Sequence, residues 1–194
     1  MDIVRQLRPA ILLLLIMTVI LGIVYPLFIT GLAQTAFGGQ ANGSLITDKN
    51  GQVVGSSLIG QNFTGPRYFH PRPSAAGTNG YDATASGGSN LGPTSSKLIG
   101  EVQQRAQAYR AENGLGPNDP VPVDAVTASA SGLDPDITPA NALLQVRRVA
   151  TARSLPESDV RGLVESSIEG RFLWVLGEPR VNVLKLNIAL DNLK

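Results

Sequence analysis

Cysteine is absent from the 194 residues, which removes disulfides, thiolate nucleophiles and cysteine-ligated zinc from consideration. The absence suits an oxidising compartment. Histidine occurs once, at His70, so any chemistry that rests on imidazole has one candidate. No Gly-x-Ser-x-Gly elbow occurs, and Thr94-Ser95-Ser96-Lys97 has a Ser-x-x-Lys-like spacing but begins on threonine. Residues 55–60 have the glycine spacing of a phosphate loop, yet Gln61 and Asn62 stand where a lysine and a hydroxyl must meet phosphate and magnesium. Asp134 and Asp136 fall far short of the six or more oxygens that calcium takes, and Pro135 and Thr138 give them turn and cap roles.

Charge is also missing from one long stretch, because no charged side chain lies between Arg8 and Asp48. Inside that gap residues 11–32 are apolar enough to cross a bilayer, at about 1.5 Å rise per residue against a core of about 30 Å. A secretory signal needs only about 7 to 15 apolar residues, so the run reads as an anchor, although Gly31 and Ala33 offer the small-x-small pattern of a cleavage site. Arg5 and Arg8 precede the run and no Lys or Arg follows until Lys49, which places the N-terminus in the cytoplasm and exports the rest. The expected division is residues 1–10 cytoplasmic, 11–33 transmembrane and 34–194 one exported domain. Without Asp2, Arg5 and Arg8 the chain holds fourteen acidic and fourteen basic residues, which points away from nucleic acid as a partner. Thr18, Gly22, Pro26 and Thr30 recur every four residues, forming a stripe that lets another helix approach. The span has no Asp, Glu, Lys, Arg or His for an ion or proton relay, so it is no transport pathway by itself.

Beyond the span, residues 45–59 read as a hairpin around Asn50-Gly51. Residues 60–93 are rich in Gly, Ser, Pro and Asn without a period, and the aromatics Phe63, Tyr68, Phe69 and Tyr81 argue for order. A helix is predicted over 95–112 with a serine cap, Leu98, Ile99, Val102, Ala106 and Tyr109 on its stripe and Gly114 past its end. Residues 116–122 read as a linker and 127–136 as a polar stretch. Thr138-Pro139 starts a helix that ends near Arg153, and Ser154-Leu155-Pro156-Glu157 has capping-box spacing for another, ended by Gly170. Residues 172–176 and 181–188 are predicted strands joined through Gly177-Glu178-Pro179. Arg147, Arg148 and Arg153 read as a solvated basic face. The class is α+β: a single N-terminal transmembrane helix followed by one exported mixed domain.

Several stretches together resemble the C subunit of the bacterial Kdp potassium-transporting P-type ATPase, the KdpC family. They are Tyr25-Pro26-Leu27 with Thr30-Gly31 and Ala33-Gln34, then Asn42-Gly43-Ser44-Leu45-Ile46, and the blocks 55–65 and 68–75. Ala85-Ser86-Gly87-Gly88-Ser89-Asn90-Leu91, residues 126–133, Ile137-Thr138-Pro139, and Val181-Asn182 with Leu186-Asn187 and Asp191 continue in family order. Gly38-Gly39 after Phe37 and Pro135-Asp136 depart from the family pattern.

The resemblance implies a non-catalytic accessory subunit in a high-affinity potassium uptake complex of the plasma (inner) membrane. Its partners would be a channel-like potassium-translocating subunit and a P-type ATP-hydrolysing subunit. The family is also described as a catalytic chaperone that raises the partner's affinity for ATP. An exported domain does not meet cytoplasmic ATP, so the expectation is no cofactor and no metal on this chain, with coupling through a partner's conformational equilibrium. Residues 60–93 are the expected partner-facing surface, with Phe63, Tyr68, Phe69, His70, Tyr81, Ser89 and Asn90 as interface candidates beside the stripe of Thr18, Gly22, Pro26 and Thr30. The alternatives are a membrane-anchored exported hydrolase or a solute-binding module using His70 and the 60–93 loop.

Overall fold

The computed structural model describes residues 3–193; Met1 and Asp2 of the expected cytoplasmic segment and Lys194 lie outside them. The chain forms two compact units divided between Leu45 and Ile46.

The first unit is dominated by one apolar helical run: α1 (Ile3–Val19), a π-helical turn (Ile20–Val24) and α2 (Tyr25–Ala36), followed by the short α3 (Gly38–Ala41). The stretch from Arg5 to Ala36 covers 32 residues, about 48 Å at helical rise, which exceeds a bilayer's hydrocarbon core. None of its side chains is buried within the chain, so an apolar surface runs round the whole helix, as in a span that faces lipid or other helices. The π turn has a local cause in Pro26. Its ring lacks an N–H and would press on the carbonyl four residues back, and the widened turn, with Tyr25 N–H donating to Ile20 O, relieves that clash. Gly22 lies in this turn, while Thr18 spends its hydroxyl on Leu14 O at 2.8 Å.

The expected hairpin, β1 (Leu45–Thr47) and β2 (Val53–Ser56), starts at the division between the units, and all but Leu45 of it belongs to the second. Its turn is held by Asp48, whose Oδ1 accepts from Asn50 N at 2.8 Å and Gln52 N at 2.9 Å, while Gly51 supplies a φ of 77°. The bond from Gln52 is the largest of the effects that keep the Asp48 carboxyl below its ordinary value. After the 60–93 segment, α4 (Ser96–Asn113) begins at Ser95, whose hydroxyl accepts from Leu98 N, and ends at Gly114 in the left-handed region. Leu98, Val102, Ala106 and Tyr109 are half-buried, and Ile99 does not join them; it is exposed. The stretch 116–122 is no free linker, because Asp119 accepts from Gly116 N at 2.7 Å and gives its carbonyl to Arg110. It leads into α5 (Val123–Val126) and β3 (Asp136–Ile137), which lack a sequence period because they are too short to show one.

The core forms where α6 (Pro139–Arg153), α7 (Glu157–Ser166) and α8 (Val183–Asp191) meet. Thr138 caps α6 by accepting from Asn141 N at 3.2 Å, and Ala142, Val146, Val149 and Ala150 recur at helical spacing on its buried face. Ser154 does not head a capping box. It sits at φ 57° as the left-handed C-cap of α6, Pro156 occupies the N-cap of α7, and Glu157 and Asp159 favour its positive end. Gly170 does not end α7 either, since β4 (Ile168–Glu169) intervenes.

Two predicted strands are corrected. Residues 172–176 form a tight turn closed by a bridge between Phe172 and Leu176. Residues 181–188 are strand only within β5 (Arg180–Asn182), after which Asn182 caps α8 by accepting from Lys185 N at 3.1 Å. The buried set Val183, Leu186, Asn187 and Leu190 follows the i, i+3, i+4, i+7 pattern of a helix, not the alternation of a strand. β5 is the centre of an antiparallel sheet ordered β3-β5-β4, with Ile137 and Ile168 both opposite Val181. Arg180 reaches Asp136 on one side at 3.0 Å and Glu169 on the other at 2.9 Å.

Candidate functional site

Three prolines between positions 66 and 73 remove backbone donors and hold the chain extended, so residues 65–70 cannot join a helix or ladder. Their carbonyls must be satisfied some other way. Six consecutive carbonyls are taken by side chains. Gly65 O faces His70 Nε2 at 2.9 Å, Pro66 O and Tyr68 O accept from Arg148 Nη1 at 2.9 and 3.0 Å, and Arg67 O accepts from Arg153 Nε at 2.7 Å. Phe69 O accepts from Asn187 Nδ2 at 3.0 Å and His70 O from Gln145 Nε2 at 3.1 Å.

Two amides complete the arrangement. Asn187 Oδ1 accepts from Phe69 N at 2.8 Å and Gln145 Oε1 from His70 N at 2.7 Å, so each amide pairs both backbone groups of one residue, as a neighbouring strand would. Both amides are buried on mostly apolar faces of α8 and α6, the α6 face also carrying the buried Asn141, whose Oδ1 accepts from Gln145 Nε2 at 2.9 Å. That is the signal by which sequence reading could have found them: a polar residue in register with a buried stripe needs a buried partner.

The arginines differ most from expectation. Arg147 is exposed, but the side chains of Arg148 and Arg153 are 7% and 8% exposed. Arg148 also donates to Asn113 Oδ1 and Gln145 Oε1, while burial pulls its pKa down from the ordinary arginine value. Arg153 pairs with Asp191 at 2.7 Å and lies over the Tyr68 ring at 4.9 Å. They are buried because their guanidinium forks supply the donors that the extended segment lacks.

His70 is tied from both ring nitrogens. Nδ1 is 2.9 Å from Glu112 Oε1, and Nε2 faces Gly65 O, with Arg148 Nη1 at 3.4 Å. With one ring nitrogen on a carboxylate and the other on a backbone carbonyl, both are engaged within the domain, so neither stands free toward a substrate as a general base would. The bond from His70 is the largest of the effects that hold the Glu112 carboxyl below its ordinary value. Beside this pair lies an open depression of about 250 Å³, lined among others by Phe63, Arg72, Arg105 and Tyr109. Among the described residues no group of three or more His, Asp or Glu side chains is placed to hold a metal ion.

The remaining interface candidates divide by burial. Phe69 is wholly buried in the core of its own domain, and Phe63 packs against that core and against Tyr68 at 5.6 Å between ring centres. Tyr81 donates to Arg72 O at 2.7 Å, and burial, aided by the Asp134 charge, pushes its hydroxyl above the ordinary tyrosine pKa. Arg72 in turn pairs with Asp134 at 2.6 Å. Ser89 and Asn90 are exposed, on a stretch that Gly87 N anchors to Ser131 O at 2.9 Å. Gly60 and Gly132 are required where segments touch: a Cβ on Gly60 would stand 2.6 Å from Asp134 O, and one on Gly132 2.6 Å from Gly87 O. Thr18, Gly22, Pro26 and Thr30 all lie on the apolar helix of the first unit.

The family model described as K+-transporting ATPase, c chain (KdpC), matches residues 7–192. The potassium-transporting ATPase KdpC subunit of Mycobacterium tuberculosis strain H37Rv is 58% identical over 189 residues, covering 97% of this chain and 99% of that protein. Proteins of the same name from Caulobacter vibrioides and Gemmatimonas aurantiaca are each 57% identical, over 96% and 97% of this chain and 92% and 94% of their own. A match of this extent leaves no segment of the site outside it, and the chain belongs to the KdpC family of potassium-transporting ATPase subunits.

Proposed function

We propose that the chain is a non-catalytic accessory subunit that holds together a potassium uptake complex of the plasma membrane. It would contact both a channel-like potassium-translocating subunit and a P-type ATP-hydrolysing subunit. The observation that carries this reading is the apolar helix: it has no Asp, Glu, Lys, Arg or His between Arg8 and Asp48, so it offers an ion no path and has only surface to contribute. The domain argues likewise, since the one imidazole is committed to Glu112 and Gly65. Arg5 and Arg8 before the helix, with no Lys or Arg after it until Lys49, support a cytoplasmic N-terminus and an extracytoplasmic domain from residue 34 onward.

In this topology the subunit binds no nucleotide. Any effect on ATP affinity passes through the conformational equilibrium of the ATP-binding partner. The 60–93 segment serves as a rigid contact surface through Tyr68, His70, Ser89 and Asn90, while Phe69 works inward as an anchor. The helix meets a partner helix along Thr18, Gly22, Pro26 and Thr30.

The test is co-purification from detergent-solubilised membranes through a C-terminal tag. A P-type ATPase and a polytopic potassium transporter arriving in fixed ratio support the reading; a chain that purifies alone defeats it. Tyr68→Ala should release the partners without unfolding the domain. ATP affinity of the complex with and without the subunit tests the coupling, and equal values would remove it.

A further inference from the structure

Five consecutive large apolar residues, Phe172 to Leu176, stand in water at the turn between β4 and β5, from 56% exposed at Leu176 to 92% at Trp174. Tryptophan is the residue least expected to stand free, and this one is the only tryptophan in the chain. Leu173 and Trp174 hold φ values of 50° and 68°, a conformation that non-glycine residues adopt at a cost of about 1–3 kcal/mol each. The turn is therefore built to present these side chains, since nothing in the domain is gained by it.

The presentation has no sidedness. A protein groove reads spaced anchors on one face of a segment, whereas here every position of the turn is apolar and exposed, which suits an apolar medium that surrounds it. Four of the five backbone N–H groups of the turn are also satisfied from within it or from Arg171. The N–H groups of Phe172 and Leu176 are taken by Leu176 O and Phe172 O at 2.9 Å, and those of Trp174 and Val175 by Arg171 O and Phe172 O at 3.2 and 3.3 Å. At the two ends of the loop Arg171 and Glu178 form an ion pair at 2.7 Å, a zwitterionic base beneath an apolar tip. Residues 37–45 are all that separate the apolar helix from the domain in sequence, so a bilayer spanned by that helix is the apolar phase to which the domain is tethered.

We propose that the 172–176 turn dips into the interfacial layer of the bilayer that the chain's own helix spans, with Trp174 at the level of the upper acyl chains and the Arg171–Glu178 pair among the lipid headgroups. Trp suits this depth because its ring is apolar and its N–H polar. The domain then has a second hold on the membrane.

This rests on the membrane-anchored reading, and the test separates the two. The full-length chain is reconstituted alone into phosphatidylcholine vesicles, and Trp174 fluorescence is followed with lipids brominated near the top of the acyl chain and with aqueous acrylamide. A blue-shifted emission quenched by the brominated lipid and protected from acrylamide is the expected result. Leu173→Asp should reverse it, shifting emission to the red and restoring acrylamide quenching, with the thermal midpoint of the domain unchanged. Emission that is red and open to acrylamide in the parent chain overturns the proposal. Protection from acrylamide without quenching by brominated lipid also overturns it, and assigns the tip to a protein surface. Extraction of the chain by alkaline carbonate overturns the anchor itself; retention with an unquenched Trp174 overturns only the tip.

Discussion

Replacing Asn187 by leucine tests whether side-chain amides hold the 65–70 segment. The substitution keeps the volume at a site only 1% exposed but removes both partners of Phe69, orphaning one buried N–H and one buried C=O. Each unsatisfied group costs about 1–3 kcal/mol, so two groups, partly offset by the added apolar contact, remove about 3 kcal/mol. That is a large share of the about 5–15 kcal/mol that stabilises an ordinary domain. At about 2–4 °C per kcal/mol for this size, the thermal midpoint should fall by about 6–12 °C. Circular dichroism of the full chain in mild detergent reads the shift, because the apolar helix should melt separately from the domain. Gln145→Leu should act similarly through His70, and the double variant should cost less than the two together, since each loosens the same segment. A midpoint within about 2 °C of the parent for Asn187→Leu would refute the clamp.

Acid should weaken the His70–Glu112 tie. The Glu112 carboxyl lies below its ordinary value of 4.5 in the folded chain, so its contribution is present above that pH and is lost as the pH falls through the lower folded value. Glu112→Gln should therefore lower the thermal midpoint at pH 7 and narrow the gap to the parent toward pH 3; a gap that stays constant would sever the link. A single cysteine at Ser89, in a chain with none of its own, should react with a membrane-impermeant maleimide in intact spheroplasts. Labelling only after lysis would reverse the topology. Pro26→Ala should let the ladder close through the π turn, removing a distortion worth about 3 kcal/mol in an ordinary helix, and the Tyr25 amide should then exchange more slowly by NMR in micelles. Unchanged exchange would show that the widened turn has another cause.

The membrane helix, the hairpin and the starts of α4 and α6 were legible in the sequence because each rests on interactions within a few residues. Asp48 meets Asn50 and Gln52, Ser95 meets Leu98, and Thr138 meets Asn141. Where two local signals compete, reading along the chain fails. Ser154 carries the residue type of an N-cap but is taken as the C-cap of the helix before it, and Asn182 starts a helix where apolar residues suggested a longer strand. The site belongs to a third case. That residues 60–93 are ordered follows from their aromatics, but what orders them does not, because the donors stand 75 to 118 positions away, on Gln145 and Asn187, and two more are arginines that composition assigns to the surface. Only the gathering of α6 and α8 into one core, with α7 packed on both, decides that these side chains meet the extended backbone, since a carbonyl without a ladder partner takes whichever donor the fold brings within about 3 Å.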